Sequence, residues 1–453
     1  MTPGETQEKC QMKSPKIVMV GGGSYNWSPR LICDLIHTPE LEGAEIVLLD
    51  LNLKPAQKVK DAAVKMAETL KRRFKFTVTR NEDLAFSKAD FVIVTISTGG
   101  FKTMRHDLEI PERYGIYHTV GDSVGPGGWS RALRNIPVFA AMARKIERLS
   151  PNAILLNYTN PMASLTGAVA AASSLRSVGL CHGVFGTYKM LEQIFGVTEK
   201  ELSVRFGGIN HFFWLLDFKV KGQEGYPLLR KKLKGKSLDG LMGSDKDSAG
   251  FEHTNHMFCD ELLKEYGYLT YAGDRHTCEF FTAYLTNIEL MKKFKLVRTS
   301  IVDREKMFTE ARQRVLDLAS GKMKPFEKSR ETAIDIIRSF ATNEPFVDVV
   351  NLPNQGQIDN LPRGAVVETL GLVNARGFSP IATGPLPERL RALLEPHCIV
   401  QKMTLEAALS GDKEIALQAL MLDPLCARIS PSKIREMGLS LMEATKAWLP
   451  QFK

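Results

Sequence analysis

Three features of the first 195 residues predict a doubly wound α/β fold, a parallel sheet with helices on both faces. Six short apolar runs alternate with stretches of helical period. The runs are apolar on both faces, as strands covered from two sides must be. A glycine triplet, Gly21-Gly22-Gly23, follows the first run directly.

Residues 16–22 (KIVMVGG) predict the first strand, and a helix is expected from about Ser28, with Pro29 in its first turn. A second strand is expected at 45–50, and Ala56, Val59, Ala63, Met66 and Leu70 mark a helical stripe over 53–74. Further strands are predicted at 76–80, 90–96, 153–157 and 177–181, with helices near 129–148, 161–174 and 185–194. Beyond residue 195 the alternation stops. Residues 206–220 look like paired strands, and long helical patterns occupy 303–340 and 386–450. The division expected is a leader over 1–15, a nucleotide-binding Rossmann domain over 16–195, and an α+β catalytic and oligomerisation domain over 196–453.

Bulk composition excludes several classes. The chain has 453 residues, 44% of them hydrophobic and 25% charged, the balance of an ordinary globular protein. No apolar run is long enough to span a membrane, and the polar N-terminus has no signal-like core, so a cytoplasmic location is expected. Seven scattered cysteines without paired spacing argue against a disulfide framework or structural zinc. They are expected to be small buried residues, Cys181 excepted. The net charge is +9, but the basic run at 230–236 lacks interleaved aromatics and reads as a solvated face, not a nucleic-acid site. A positive field does favour an anionic substrate.

The glycine turn lets backbone approach a pyrophosphate, and Asp50 ends the second strand where a carboxylate receives ribose hydroxyls. That favours NAD over NADP. Gly21, Gly22, Gly23, Ser24, Tyr25, Asn26, Asp50 and Thr98 are the candidate cofactor-binding residues. Asn160, Cys181 and His182 lie at the carboxyl edge of the expected sheet, where ligands bind in open α/β folds. His211 follows Asn210 in the second half, placed to meet them. A thiolate and an imidazole that converge can hold a divalent metal. Taken in isolation, a strand-end cysteine or a histidine is structural more often than not.

These segments carry a resemblance. GGGS at 21–24, NPMA at 160–163, CHG at 181–183, Asn210-His211, DRHTCEFF at 274–281 and NQGQIDNLP at 354–362 with VVE at 366–368 resemble, in order, glycoside hydrolase family 4. The resemblance runs from about residue 16 to 440. It implies a fold similar to the lactate/malate dehydrogenase superfamily, and NAD and Mn²⁺ (or another divalent metal) as cofactors. It implies a route outside the two-carboxylate scheme of most glycosidases: oxidation at the sugar's C3, proton removal at C2, elimination of the aglycone, water addition and re-reduction. It places the metal on Cys181 and His211 and sugar hydroxyls on Asn160. The base is expected at Asp274 first and His276 second, because this chain has no tyrosine within 274–281. Asp122 is a candidate to bind sugar or assist the base, and His182 to contact substrate or donate a proton.

Cys-His-Gly at 181–183 is unlike the Cys-Asp or Cys-Asn runs of the phosphoglycosidase members and resembles those acting on α-linked glucuronic or galacturonic acid. Arg105, expected in a loop, and Arg131 are candidate carboxylate partners. The expected partner is a uronic acid oligosaccharide, with no nucleic acid or membrane and with assembly as a homodimer or homotetramer. An α-glucosidase or α-galactosidase of the same family, a 2-hydroxy-acid dehydrogenase and a non-enzymatic NAD sensor are the competing readings.

Overall fold

The computed structural model describes residues 14–242, 245–246 and 252–452; the expected leader therefore lies almost wholly outside the described residues. Strands β1 (Lys16–Val20), β2 (Glu45–Leu49), β3 (Lys75–Thr79), β4 (Phe91–Val94), β5 (Ile154–Asn157) and β6 (Arg176–Gly179) are parallel and lie in the order β3-β2-β1-β4-β5-β6. This is the doubly wound arrangement, with its crevice between β1 and β4, where the order reverses. The interiors of β1, β2, β4 and β5 are buried, with Ile17, Val18, Met19, Ile46 and Val92 among the side chains withdrawn from water on both faces, while β3 at the sheet edge is half-buried.

The helix Ser28–Ile36 starts at the expected residue. The helix after β2 spans Leu53–Thr69, shorter than the periodicity suggests, because Lys71 turns into the left-handed region at φ 54. The long patterns at 303–340 and 386–450 are broken. The first gives Ile301–Ala319 and Thr332–Thr342; the second gives Glu388–Ser410, Lys413–Leu422 and Pro431–Thr445. Gly411 at φ 77 and Pro431 supply two of the breaks.

Several helices were not expected from the sequence, among them Glu82–Phe86, Gly225–Leu233, Met257–Tyr266 and the one that bears Arg105. Gly100–Glu112 holds Arg105, which is therefore on a helix and not in a loop. Its guanidinium faces Glu109 one turn on, at 3.2 Å, and Glu305 at 3.8 Å.

The two halves share one sheet. Strands β7 (Leu202–Ile209) and β8 (Phe212–Val220) form the expected hairpin. The strands Phe346–Pro353 and Val366–Asn374 run antiparallel to each other and bridge it to β6. The junctions are narrow: Asn351 pairs with Gly179, and Glu368 with Gly208. The second half thus continues the parallel sheet sideways and carries its hairpin turn to the carboxyl edge of the first. The basic run at 230–236 is on the exposed end of the helix Gly225–Leu233. No helix among the described residues is long and apolar enough to cross a membrane.

The junction leaves no room at Gly179. A Cβ there would meet Thr166 Oγ1 at 2.7 Å, Met162 Cγ at 2.8 Å and Asn351 Cβ at 3.0 Å. Gly179→Ala is expected to cost about 1–3 kcal/mol through overpacking, read as a lower denaturant midpoint with an unchanged slope.

Candidate functional site

At the end of β1 the chain turns on Gly21 (φ 87), where a Cβ would lie 2.6 Å from Thr95 O. Gly22 packs so closely on β2 that a Cβ would meet Leu48 Cα at 2.7 Å. Only glycine fits, and the turn brings bare backbone to the crevice. Asp50 stands where the sequence placed it. Its carboxylate accepts from Gly23 N–H at 2.9 Å and Asn52 N–H at 2.8 Å, bracing the turn. A carboxylate has lone pairs left beyond these two, so a ribose hydroxyl remains within its capacity. Beside the turn a cavity of about 730 Å³ is lined by Ser24, Asn26 and Trp27 from the first loop, by Thr95–Ser97 after β4, and by Asn160 after β5. Thr98 stands apart from this lining: its hydroxyl donates to Asn135 Oδ1 at 2.7 Å. Tyr25 also turns away, packing on Phe308 with ring centroids 5.3 Å apart and lining a different cavity.

The inner end of the cleft is built around Asp122. Its Oδ2 accepts from Asn160 Nδ2 at 3.3 Å, and its Oδ1 from Ser123 Oγ at 2.9 Å. Ser123 Oγ also meets His211 Nδ1 at 2.9 Å. Arg131 donates its Nε–H to Asn160 O at 2.9 Å. Burial would raise the Asp122 pKa, but Arg131, then His211 and Arg304, hold it below the ordinary carboxylate value. Burial likewise lowers Arg131, to about 10, against the opposing pull of Asp122. Three buried polar atoms here have no hydrogen-bond partner: Arg131 Nη1, Asn160 Oδ1 and Arg304 Nε. Arg131 and Asn160 both line the cleft, and unpaired donors and acceptors there mark a place for a polar ligand.

His211 occupies the two-residue turn between β7 and β8 at φ 67, a left-handed conformation uncommon for a non-glycine residue. Its ring lies 4.4 Å from that of His276 and stacks on Tyr271 at 5.6 Å. Burial lowers its pKa to about 4, so it is neutral, the form in which imidazole binds metals. Among the described residues, Asp122, His211 and His276 bring their ligand atoms within 4.8 Å of one another. Cys181 is not in that trio. Its sulfur accepts from Gly183 N–H at 3.3 Å and is hydrogen-bonded by Asn210, the neighbour of His211. Burial, reinforced by Glu368, pushes its thiol far above the usual range. The other described cysteines, Cys33, Cys259, Cys278, Cys398 and Cys426, are free and buried.

The two candidates for the base are placed differently. Asp274 is buried and accepts backbone N–H from Cys259 at 3.0 Å and Asn255 at 3.3 Å, anchoring the start of the helix Met257–Tyr266. His276 is the one beside His211. His182 is more than half exposed, with Nδ1 3.6 Å from Glu331.

Several contributors lie outside the set of residues expected from the sequence. Glu279, inside DRHTCEFF, accepts from Val120 N–H at 2.9 Å and Gly121 N–H at 2.8 Å, and from His118 Nδ1 at 3.0 Å. His118 Nε2 in turn accepts from Gly127 N–H, which fixes the proton on Nδ1. The loop bearing Asp122 is thus hung on a carboxylate more than 150 positions away. Arg304 donates to Val120 O at 2.8 Å and completes the support.

Fold and site together define a Rossmann-type α/β enzyme with an imidazole and carboxylate cluster at the switch-point edge. The chain belongs to the family 4 glycosyl hydrolases: the family model matches residues 16–197, and that of the family's C-terminal domain matches 206–426. An α-galactosidase of Bacillus subtilis is 34% identical over 97% of this chain and 100% of its own length. An α-galacturonidase of Lachnoclostridium phytofermentans is 32% identical over 96% of this chain and 97% of its own. The crystal structure of lplD from Bacillus subtilis superposes with TM-score 0.86 at 32% identity, covering 94% and 99% of the two chains. A malate dehydrogenase of Plasmodium falciparum, at TM-score 0.51 and 13% identity over 87% of this chain and 98% of its own, shares the fold alone.

A second carboxylate supports the loop from the other side. Asp423 accepts from Gly125 N–H at 3.0 Å and Leu425 N–H at 2.9 Å, and burial raises its pKa from 3.8 to about 6. Because the folded value is the higher one, the contribution is fully present below pH 4 and is lost as pH rises through 6. The difference is about 3 kcal/mol at most. Unfolding free energy compared between wild type and Asp423→Asn from pH 4 to pH 7 is expected to move in the variant's favour as pH rises. Parallel curves would refute the assignment.

Proposed function

We propose that this family 4 enzyme hydrolyses α-glycosides of uronic acids, an α-glucuronide or α-galacturonide, with NAD and Mn²⁺ as its cofactors. The observation that carries the substrate class is the buried Arg131 guanidinium. It is open at Nη1, and it lines the cleft with Asn160, whose Oδ1 is also open. A sugar carboxylate satisfies buried guanidinium donors, and the neighbouring amide and carboxylate suit hydroxyls. The Cys181-His182-Gly183 run supports the same reading, as do the α-galacturonidases among the relatives. Arg105, half-exposed and facing Glu109 and Glu305, is a weaker candidate for the carboxylate than Arg131.

The residues present fit both cofactors. The Gly21–Gly23 cradle, which any Cβ would fill, and Asp50 suit a dinucleotide without a 2′-phosphate. Neutral His211 and ionised Asp122 suit a divalent cation, with Cys181 able to join by giving up its proton. Bound there, NAD would supply reversible hydride acceptance and Mn²⁺ Lewis acidity.

The chain's own groups then divide the work. Asn160 and Asp122 orient the sugar hydroxyls. His276, beside His211, takes the proton from C2, ahead of Asp274, whose oxygens are committed to backbone N–H groups. His182, at the exposed end, gives a proton to the departing oxygen, with Glu331 facing its Nδ1. A reduced thiol and a supply of NAD both suit the cytoplasm.

A glycoside panel of glucuronide, galacturonide, galactoside, glucoside and 6-phosphoglucoside decides the substrate. Uronide cleavage that needs NAD, Mn²⁺ and a thiol reductant together is expected, with slower turnover of substrate deuterated at C2. Preference for the neutral galactoside, the activity named for the 34% identical Bacillus subtilis relative, would overturn the uronide reading. His211→Asn, which tolerates the left-handed turn, is expected to lower Mn²⁺ affinity about 100-fold with little change in Tm. Unaltered Mn²⁺ binding by calorimetry would count against His211 as a ligand.

A further inference from the structure

Gly183 opens the helix Gly183–Phe195, and its backbone does not ask for glycine, since its φ is not positive. The space around it does. A Cβ there would run into Tyr271 Cε2 and lie 2.9 Å from Cδ2 and 3.0 Å from Cζ. The Tyr271 ring has little room to retreat. It is buried, with the Phe213 ring against it at 6.0 Å between centroids. Its carbonyl accepts from Cys259 Sγ at 3.3 Å and Thr277 Oγ1 at 3.1 Å. The next residue, Ala272, donates its N–H at 3.2 Å to Thr187 Oγ1, on the same helix as Gly183.

This contact connects two candidate metal ligands. On one side, Gly183 N–H donates to Cys181 Sγ at 3.3 Å. On the other, the Tyr271 ring stacks on His211, with centroids 5.6 Å apart and planes 23° from parallel. It also meets His276 edge-on at 6.0 Å. Tyr271 directly follows the short strand Leu269–Thr270, which pairs with β8, so ring and imidazole are carried by one part of the sheet. Burial pushes the phenol far above its usual range, so the ring is neutral and offers His211 a surface, not a charge. Ser123 Oγ meets His211 Nδ1 at 2.9 Å. One hydrogen bond leaves the imidazole free to turn about that bond, and a stacked face removes that freedom.

We infer that Tyr271 is a positioning residue which, wedged against Gly183, sets the His211 imidazole relative to the Cys181 sulfur for a divalent cation. The inference rests on the ligand reading above and adds what fixes the two ligands with respect to each other. Gly183 acts twice in it. Its N–H holds the sulfur, and its bare Cα admits the ring that holds the imidazole. Ligands already in place bind a cation more tightly than ligands that must be gathered, so the groups behind a metal ligand govern affinity. Tyr271 acts through His211 and is not itself a ligand.

The readout is Mn²⁺ affinity of the NAD-loaded enzyme by calorimetry. Tyr271→Leu and Gly183→Ala are each expected to weaken it about 10-fold, with NAD affinity unchanged. Tyr271→Phe, which keeps the ring, should retain wild-type affinity. Because both changes act through one contact, the double variant Gly183→Ala/Tyr271→Leu should also lose about 10-fold, not about 100-fold. The visible spectrum of the Co²⁺-loaded enzyme, which reports coordination geometry, should change in Tyr271→Leu and not in Tyr271→Phe. A general loss of stability would not produce that pattern. Crystals of the Mn²⁺-loaded wild type need no variant to fold, and there the stack is expected to persist with His211 on the ion. A folded Tyr271→Leu with wild-type Mn²⁺ affinity, additive losses in the double variant, or rings that part on loading each overturn this inference alone. Unaltered Mn²⁺ binding by His211→Asn overturns the ligand reading and this inference together.

Discussion

One ionised carboxylate at the base of the cleft organises this molecule. Asp122 is half-buried at the inner end of the cleft, where desolvation alone would raise its pKa, yet Arg131, His211 and Arg304 from separate elements hold it below the ordinary carboxylate value. Arg131 comes from the helix Gly125–Leu149, Arg304 from Ile301–Ala319, and His211 from the β7–β8 turn. Arg131 is buried and Arg304 half-buried, and burial lowers the pKa of both against the opposing pull of Asp122. Between Asp122 and the two guanidinium groups the constraint is mutual, so removing the carboxylate leaves both arginines uncompensated. That is why the loop carrying Asp122 is supported twice more, by Glu279 from one side and Asp423 from the other.

The same interaction explains why the sheet needs its antiparallel extension. A parallel doubly wound sheet ends with its ligand edge open on one side. Strands Phe346–Pro353 and Val366–Asn374 add the width that lets β7 and β8 deliver His211 to that edge. Glu368 and Asn351 sit at the joint. Asn351 Nδ2 donates to Glu368 Oε2 at 2.8 Å, and Asn210 Nδ2 donates to the same oxygen at 3.3 Å. Burial raises the Glu368 pKa to about 7, against those two hydrogen bonds. The joint between the halves therefore also fixes Asn210, the residue that bonds the Cys181 sulfur.

What could be read in the residues follows from how local each signal is. The first four strands and the helix at Ser28 depend on periodicity and on one glycine turn, which a window of a few residues contains. The helix Gly100–Glu112 left no such trace, because its apolar positions are interrupted by Lys102, Arg105, His106 and Asp107 and it carries Pro111. Asp107 faces inward to pair with buried Arg134, a contact that no short window reveals. At the site, Asp122, Asn160, His211 and His276 were visible as polar residues near strand ends and in short motifs. The roles of Glu279, Arg304 and Glu331 were not, since they exist only once segments about 150 positions apart or more are brought together.

Protonation ties these parts into a single chemical state. His211 is neutral, the Cys181 thiol keeps its proton, and Asp122 alone among the three carries charge. The pocket thus presents one fixed negative charge, balanced by Arg131 and Arg304, with two neutral donors poised around it. A cation that brings charge into this balance favours loss of the Cys181 proton, and the energy of that loss then belongs to binding rather than to folding. A site arranged this way holds its shape before any ligand arrives, because its stability comes from the guanidinium groups. It leaves the sulfur as the group that responds.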